Sequence, residues 1–218
     1  MSVPPESSVP PESSSRVGEG ILAHPSGTRS ARVHEQVLVA TAQLLDEGGY
    51  AAATVDAISA RSGVSKATIY KHWPCRTAVA AKAFGTMMAS DAPPPDTGTT
   101  AGDLTEMVRR VSAFYASPRG RIFAQLVAAC VDDPKGAPYF RAYFLAGRRA
   151  GIATLWDRAR ERGDVDPDIR VDDVIDIAFG PLIFRLLTGH LELCEENATR
   201  LAETALAGLL RPSSGKTG

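Results

Sequence analysis

Ser65, Lys66, Ala67, Thr68, Tyr70, Lys71 and His72 place hydrogen-bonding or small side chains at every position but one of an eight-residue run. The chemistry they suit is recognition. Hydroxyls, an ammonium, a phenol and an imidazole bond to phosphate oxygens and fix a protein's register on a duplex. Small side chains and hydroxyls at a helix start can approach base edges in the major groove. On this reading Tyr70, Lys71 and His72 anchor the backbone. Lys66, Ala67 and Thr68 approach bases.

Those residues must be held by two short helices and a tight turn. The stretch TVDAISARSGVSKATIYKHW, Thr54 to Trp73, supplies them. Thr54 can cap the first helix, and Asp56 sits in its first turn, where the helix dipole favours an anion. Val55 and Ile58 point one face inward, and Ser62-Gly63 ends the helix, with glycine free to take a left-handed position. Val64 is the buried residue of the turn, Ser65 caps the second helix, and Ile69 faces the core. A pair of amphipathic helices inside an ordinary helical protein would share this spacing. The residues themselves are more specific. GVSKATIYKHW, with an Ala/Thr start to the first helix, resembles the DNA-binding signature of the TetR family of bacterial transcriptional regulators. The resemblance is strong from Arg29 to Phe84 and weaker beyond.

The resemblance implies an all-α fold. A three-helix DNA-binding domain spans 29–75, a connecting helix 76–91, a linker 92–101 and a helical effector and dimerisation domain 102–211. It also implies DNA contacts from Arg29, Arg32, Thr54 and Arg76 beside the Ser65–His72 group. The first helix carries an apolar stripe of Val33, Val37, Ala40, Thr41, Leu44 and Leu45 and ends at Gly48-Gly49. Tyr50 is expected to pack back on the three-helix unit. Between Arg29 and Lys82 seven Lys/Arg stand against four Asp/Glu, a local charge of +3 in a chain of net charge −1. A basic first domain suits phosphate neutralisation, and the small excess favours two heads acting together. Where the family commonly has Phe, a capping residue and Lys, this chain has Trp73, Cys75 and Arg76. Cysteine is a poor cap. A thiol at a helix start near Arg76 has a lowered pKa and could switch by oxidation. A tolerated substitution is the preferred reading.

The 218 residues, 44% hydrophobic and 6% aromatic, are enough for one sizeable core or two modest ones. No apolar run is long enough for a bilayer, and no secretion signal is read. Cys75, Cys130 and Cys194 match no zinc spacing, so a reduced cytoplasmic protein without metal or cofactor is expected. Residues 1–28, with VPPESS twice in tandem, and 212–218 are expected to be disordered tails. A proline-rich docking role for the first tail is the lesser reading. Ile21, Leu22 and His24 could rest on the folded body.

The second domain reads as helices throughout. One runs from Pro138 to Arg162, with Arg148, Arg149, Arg158, Arg160 and Arg162 on a solvated face. Asp164, Asp166 and Asp168 lack the glycine and closing glutamate of a calcium loop and form a connector. The last two helices, Val171–Thr188 and Glu195–Leu210, carry more apolar surface than one subunit should bury. The resemblance implies a homodimer through a four-helix interface. Ile175, Leu182, Leu186, Ala198, Leu201, Ala205, Gly208 and Leu209 are the expected contacts. The aromatic and soft residues Met87, Phe114, Phe123, Cys130, Phe144, Trp156, Phe179 and Phe184 are candidates to line a pocket for a small, largely apolar effector. No phosphate loop, zinc pattern or nucleophile–base set is found. The leading reading is a repressor that binds an inverted-repeat operator in double-stranded DNA and is released by a ligand. The alternative is a helical DNA-processing enzyme, for which Asp132-Asp133 and Asp172-Asp173 are the nearest acidic pairs.

Overall fold

The computed structural model describes residues 28–88 and 93–209. The tail readings, the VPPESS repeat and Ile21, Leu22 and His24 fall outside the described residues. Among those described, the regular structure is helical. Helix α1 (Thr28–Ala52) buries Val37, Ala40, Thr41, Leu44 and Leu45 of the expected stripe and leaves Val33 half-buried. The buried Thr41 hydroxyl donates to the Val37 carbonyl at 2.7 Å, so it is satisfied inside its own helix. The helix breaks where expected. Gly48 and Gly49 leave helical geometry, and Gly49 takes φ 66. A Cβ on Gly49 would stand 2.5 Å from the Gln125 side-chain oxygen. Only glycine fits both the dihedral and the approach.

Helices α2 (Val55–Ser62) and α3 (Lys66–His72) follow, then α4 (Arg76–Met87). Ile58, Ile69, Trp73, Val79 and Phe84 bring these elements together, each no more than 1% exposed. Cys75 makes no side-chain cap bond at the start of α4, as expected of cysteine. The second domain opens at Thr100, inside the stretch expected to be linker, because Thr99 caps α5 (Thr100–Ala116) through the Gly102 N–H. Helix α6 (Pro118–Asp132) begins with Pro118 in its first turn, where a missing N–H costs nothing. The long helix expected from Pro138 is α7 (Ala137–Phe140), a π-helical turn (Arg141–Leu145) and α8 (Ala146–Arg162) in unbroken succession. Helix α9 (Val171–Thr188) runs on through Pro181, and α10 (Glu195–Leu209) lies chiefly along α5.

Two expectations are corrected. The arginine face of α8 is not simply solvated. Arg158 and Arg162 converge on Asp103, a fully buried carboxylate of α5, at 3.8 and 3.1 Å. Arg158 also pairs with Asp96 of the preceding connection at 3.1 Å. Burial alone would push the Asp103 carboxyl up. The Thr97 N–H and hydroxyl, with Arg162 and Arg158, outweigh it and hold the pKa below the usual carboxylate value. This charge cluster clasps the connection, α5 and α8 together.

The second correction concerns the surface expected between subunits. Leu182, Ala198, Ala205 and Leu209 are buried within the chain, at 0%, 0%, 7% and 4% exposure. Small residues on α10 serve its close packing within the subunit, since Ala198, Ala202 and Ala205 all lie on its buried face. Ile175, Leu186 and Leu201 are half-buried, and Gly208 is exposed. In this last part of the chain the large apolar residues left outside are Ile177, Phe184 and Leu187 of α9, with Leu191 beyond it.

Candidate nucleic-acid interface and effector cavity

The α2–α3 unit is built from caps. Thr54 accepts the Ala57 N–H at 3.1 Å, and Ser65 accepts the Thr68 N–H at 3.2 Å. Gly63 takes φ 70 and returns its N–H to the Ser59 carbonyl at 3.0 Å. The Ser59 hydroxyl donates to the Val64 carbonyl at 2.7 Å and holds the turn closed from inside. With Ile69 and Trp73 each 1% exposed, α3 is fixed against the core and its other face is free. Lys66, Ala67, Tyr70 and Lys71 are exposed there. Thr68 is half-buried and shares a 2.9 Å hydroxyl contact with Ser65. Lys66 pairs with Asp56 across the turn, which raises its pKa through the hydrogen bond and the charge of that carboxylate.

The expected contacts therefore divide by geometry. Arg32 is exposed on α1, and the side chain of Arg29 lies outside the described residues. His72 stands half-buried, edge-on to His34 at 4.5 Å and against Trp73. Arg76 is turned inward. Its guanidinium donates to the Ala53 carbonyl at 3.1 Å and to the Tyr50 carbonyl, and lies 3.9 Å over the Tyr50 ring. It closes the carbonyl end of the segment after Gly49 instead of facing outward. Tyr50 itself is a junction. Its N–H donates to Gln125 of α6 at 2.7 Å, and its hydroxyl meets Thr77 of α4 at 2.8 Å.

The lowered thiol pKa expected at Cys75 is overturned. Burial and a hydrogen bond to Asp133 push Cys75 up to about 11. Asp133, one of the paired acids, also accepts the N–H groups of Lys135 and Gly136 and shapes the turn before α7. Asp172 pairs with Arg149 and Arg170.

The aromatic set is brought together only in part: Phe114, Phe123 and Phe144 form one cluster, with ring centroids 5.1 to 6.3 Å apart. Phe123, Trp156 and Phe179 are core, at 1%, 0% and 5% exposure, and the Trp156 indole donates to the Ile169 carbonyl at 3.4 Å. Cys130 is half-buried and packs against the core. Phe184 is 60% exposed, so its expected place in a pocket is corrected. Phe114 is half-buried near Phe144, their ring centroids 6.3 Å apart. Phe144 does line a cavity of about 490 Å³, together with Met88, Met107, Val111, Ile152 and others. Met87 faces a separate groove of about 500 Å³ between α1 and α4. The cavity is not purely apolar, because Arg110 and Arg148 reach its wall. Sequence spacing had assigned Arg148 to a solvated face. Gly147 and Gly151, one turn apart beside it, were the available sign of open space.

Residues 37–83 match the family model described as bacterial regulatory proteins, tetR family, and residues 94–205 match that of the tetracyclin repressor-like C-terminal domain. The uncharacterized HTH-type transcriptional regulator YdeS of Bacillus subtilis is 31% identical over 85% of this chain and 94% of its own. A counterpart in Mycobacterium bovis is 28% identical over 83% of this chain and 89% of its own. Among solved structures, the TetR family transcription regulator SCO0332 is 32% identical, with a TM-score of 0.68 over 81% of this chain and 97% of that one.

Proposed function

The chain belongs to the TetR family of bacterial transcriptional regulators, and from that premise we propose that it is a homodimeric repressor released from its operator by a small molecule. The observation that carries this reading is α3. Its inward side is locked by Ile69 and Trp73, while Ala67, Tyr70 and Lys71 stand outward behind a capped N-terminus. Such a helix enters a major groove with its first turn toward base edges. On this reading Thr54, Ser65, Thr68 and His72 join that face at the duplex, and the exposed Arg32 of α1 adds a phosphate contact. Cysteines 75, 130 and 194 are free thiols, which suits a reduced cytoplasm.

A second copy would cover the outward stripe of α9, where Ile177, Phe184 and Leu187 are 48%, 60% and 50% exposed. Ile175, Leu186, Leu201 and Gly208 border it. Two-fold symmetry then calls for an inverted repeat, with half-sites about one helical turn apart or somewhat more. Release follows if a ligand binds better to a head spacing that misses successive grooves, since differential affinity alone moves such an equilibrium. The contact that could carry the shift is tight. A Cβ on Gly85 of α4 would stand 2.5 Å from the Tyr143 carbonyl of the π-helical turn. Movement of the cavity wall therefore reaches the connecting helix directly.

The test starts from genomic fragments captured by the purified protein and sequenced. Anisotropy on the recovered site should show weaker binding for Lys71→Ala, and sedimentation should show monomers for Phe184→Glu with Leu187→Glu. Unchanged operator affinity for Lys71→Ala together with Ala67→Asp would remove α3 from the groove.

A further inference from the structure

Helix α8 contains its own control. Arg149, Arg158, Arg160 and Arg162 each pair with a carboxylate. Arg148 pairs with none among the described residues. Its one hydrogen bond among them is a long one, 3.5 Å to the Met88 carbonyl. Its guanidinium lies 5.0 Å from the Phe144 ring centroid and 5.5 Å from that of Phe114, at the wall of the 490 Å³ cavity. The second cation there, Arg110, is already neutralised by Glu106 at 2.8 Å. Among the described residues, then, one positive charge without a carboxylate partner faces a space otherwise walled by Met107, Val111, Phe144 and Ile152.

The space is kept open by missing side chains. A Cβ on Gly147 would meet nothing within 4 Å, and one on Gly151 would meet only Pro94 at 3.9 Å. Glycine weakens a helix, and neither position here has a positive φ or a backbone approach to require it. Tyr143 and Phe144, one turn earlier along the same wall, belong to the π-helical turn, a distortion often found at functional sites.

We propose that this cavity binds a monoanionic amphiphile, a carboxylate on an apolar or aromatic body. The carboxylate meets Arg148, and the body lies against Phe144, Val111 and Ile152. A single guanidinium with no carboxylate partner among the described residues matches one carboxylate with two parallel hydrogen bonds and offers no second charge to a dianion. This deepens the ligand-release reading and rests on it only for the consequence at DNA.

The experiment is calorimetry on the full chain with decanoate and 2-naphthoate, each against its neutral amide. The acids should bind tighter on the order of tenfold, the scale of one charge-assisted hydrogen bond. Arg148→Gln should abolish that preference, and Arg110→Gln should keep it. Gly151→Leu, which changes no charge, should block acid and amide alike by filling the cavity. Equal binding of acid and amide, a preference that survives Arg148→Gln, or no binding of any probe overturns the proposal. Operator anisotropy in parallel separates the two readings. Acids that bind through Arg148 yet leave DNA affinity unchanged uphold the anion site and refute ligand release.

Discussion

In the reading head, Thr54 bonds three residues ahead to Ala57, and Ser65 three ahead to Thr68. In the second domain, Asp103 meets Arg162 across 59 residues of chain. The two regions are held by different kinds of polar contact. Local caps fix α2 and α3 almost independently of the remainder, which suits a unit that must keep its shape while docked. Long-range charge pairing fixes the second domain as a whole, so a disturbance there spreads through α5, α8 and the connection to α4. Tyr50 stands where the two regimes meet, bonded to α4 by its hydroxyl and to α6 by its N–H.

The largest effect should come from Asp103→Ala. It removes the 0% exposed carboxylate that Arg158 and Arg162 share and leaves them only the more exposed Asp96 and Asp164. Breaking a buried pair costs roughly 3–5 kcal/mol, and the partial exposure of both arginines places the expectation at about 3. Thermal unfolding should register this as a drop in Tm. The same carboxylate sets an acid limit. Its folded pKa lies below the unfolded value, so its contribution is complete above the unfolded pKa, about 4, and is lost as pH falls through the folded one. Asp103→Asn should be less stable at neutral pH and show a flatter decline below about pH 4. A wild-type acid profile matched by the variant would mean that the cluster does not couple the elements.

Gly49→Ala should come next, and it probes the seam. The substitution forces a side chain into φ 66 and against Gln125 at 2.5 Å. The expected cost is about 1–2 kcal/mol, of the order found for strained left-handed residues. Because Gln125 must withdraw from the Tyr50 N–H, operator affinity should fall along with Tm. A loss of Tm with full operator affinity would show that the seam holds the domains together without transmitting anything.

The contrast in polar contacts also decides what was legible in sequence. Thr54, Gly63 and Ser65 announce their roles because cap and partner lie within one turn, and the α1 stripe reads directly from its period. Arg158 and Arg162 looked solvated because their carboxylate lies in another helix. Ala198 and Ala205 read correctly as close-packing residues, yet periodicity cannot say whether the packed neighbour is α5 of the same subunit or a second copy. Arg76 was misplaced for a related reason. A guanidinium serves a phosphate or a backbone carbonyl equally well, and only the fold brings the Tyr50 and Ala53 carbonyls to it. Cys75 shows the limit of helix-dipole reasoning, because burial and Asp133 outweigh the helix start. At about 11, its thiol should resist iodoacetamide at pH 8 in the folded protein and react freely once the chain is unfolded.

The smallest effect tests whether the reading head is as self-contained as its caps suggest. Tyr70 is 52% exposed on α3. Tyr70→Phe removes one hydroxyl and leaves the ring, the caps and the Ile69 and Trp73 anchors in place. Unfolding stability should therefore stay within about 0.5 kcal/mol of the parent, as for exposed substitutions generally. DNA affinity should weaken by about 1 kcal/mol per head, roughly fivefold, the net worth of one hydrogen bond. A phosphate contact carries no sequence information, so the loss should be the same on the operator and on unrelated duplex. A loss confined to the operator would move Tyr70 from the backbone to a base edge. Unchanged affinity on both would leave Lys71 and Arg32 to set the register, with the helix seated less deeply on its C-terminal side.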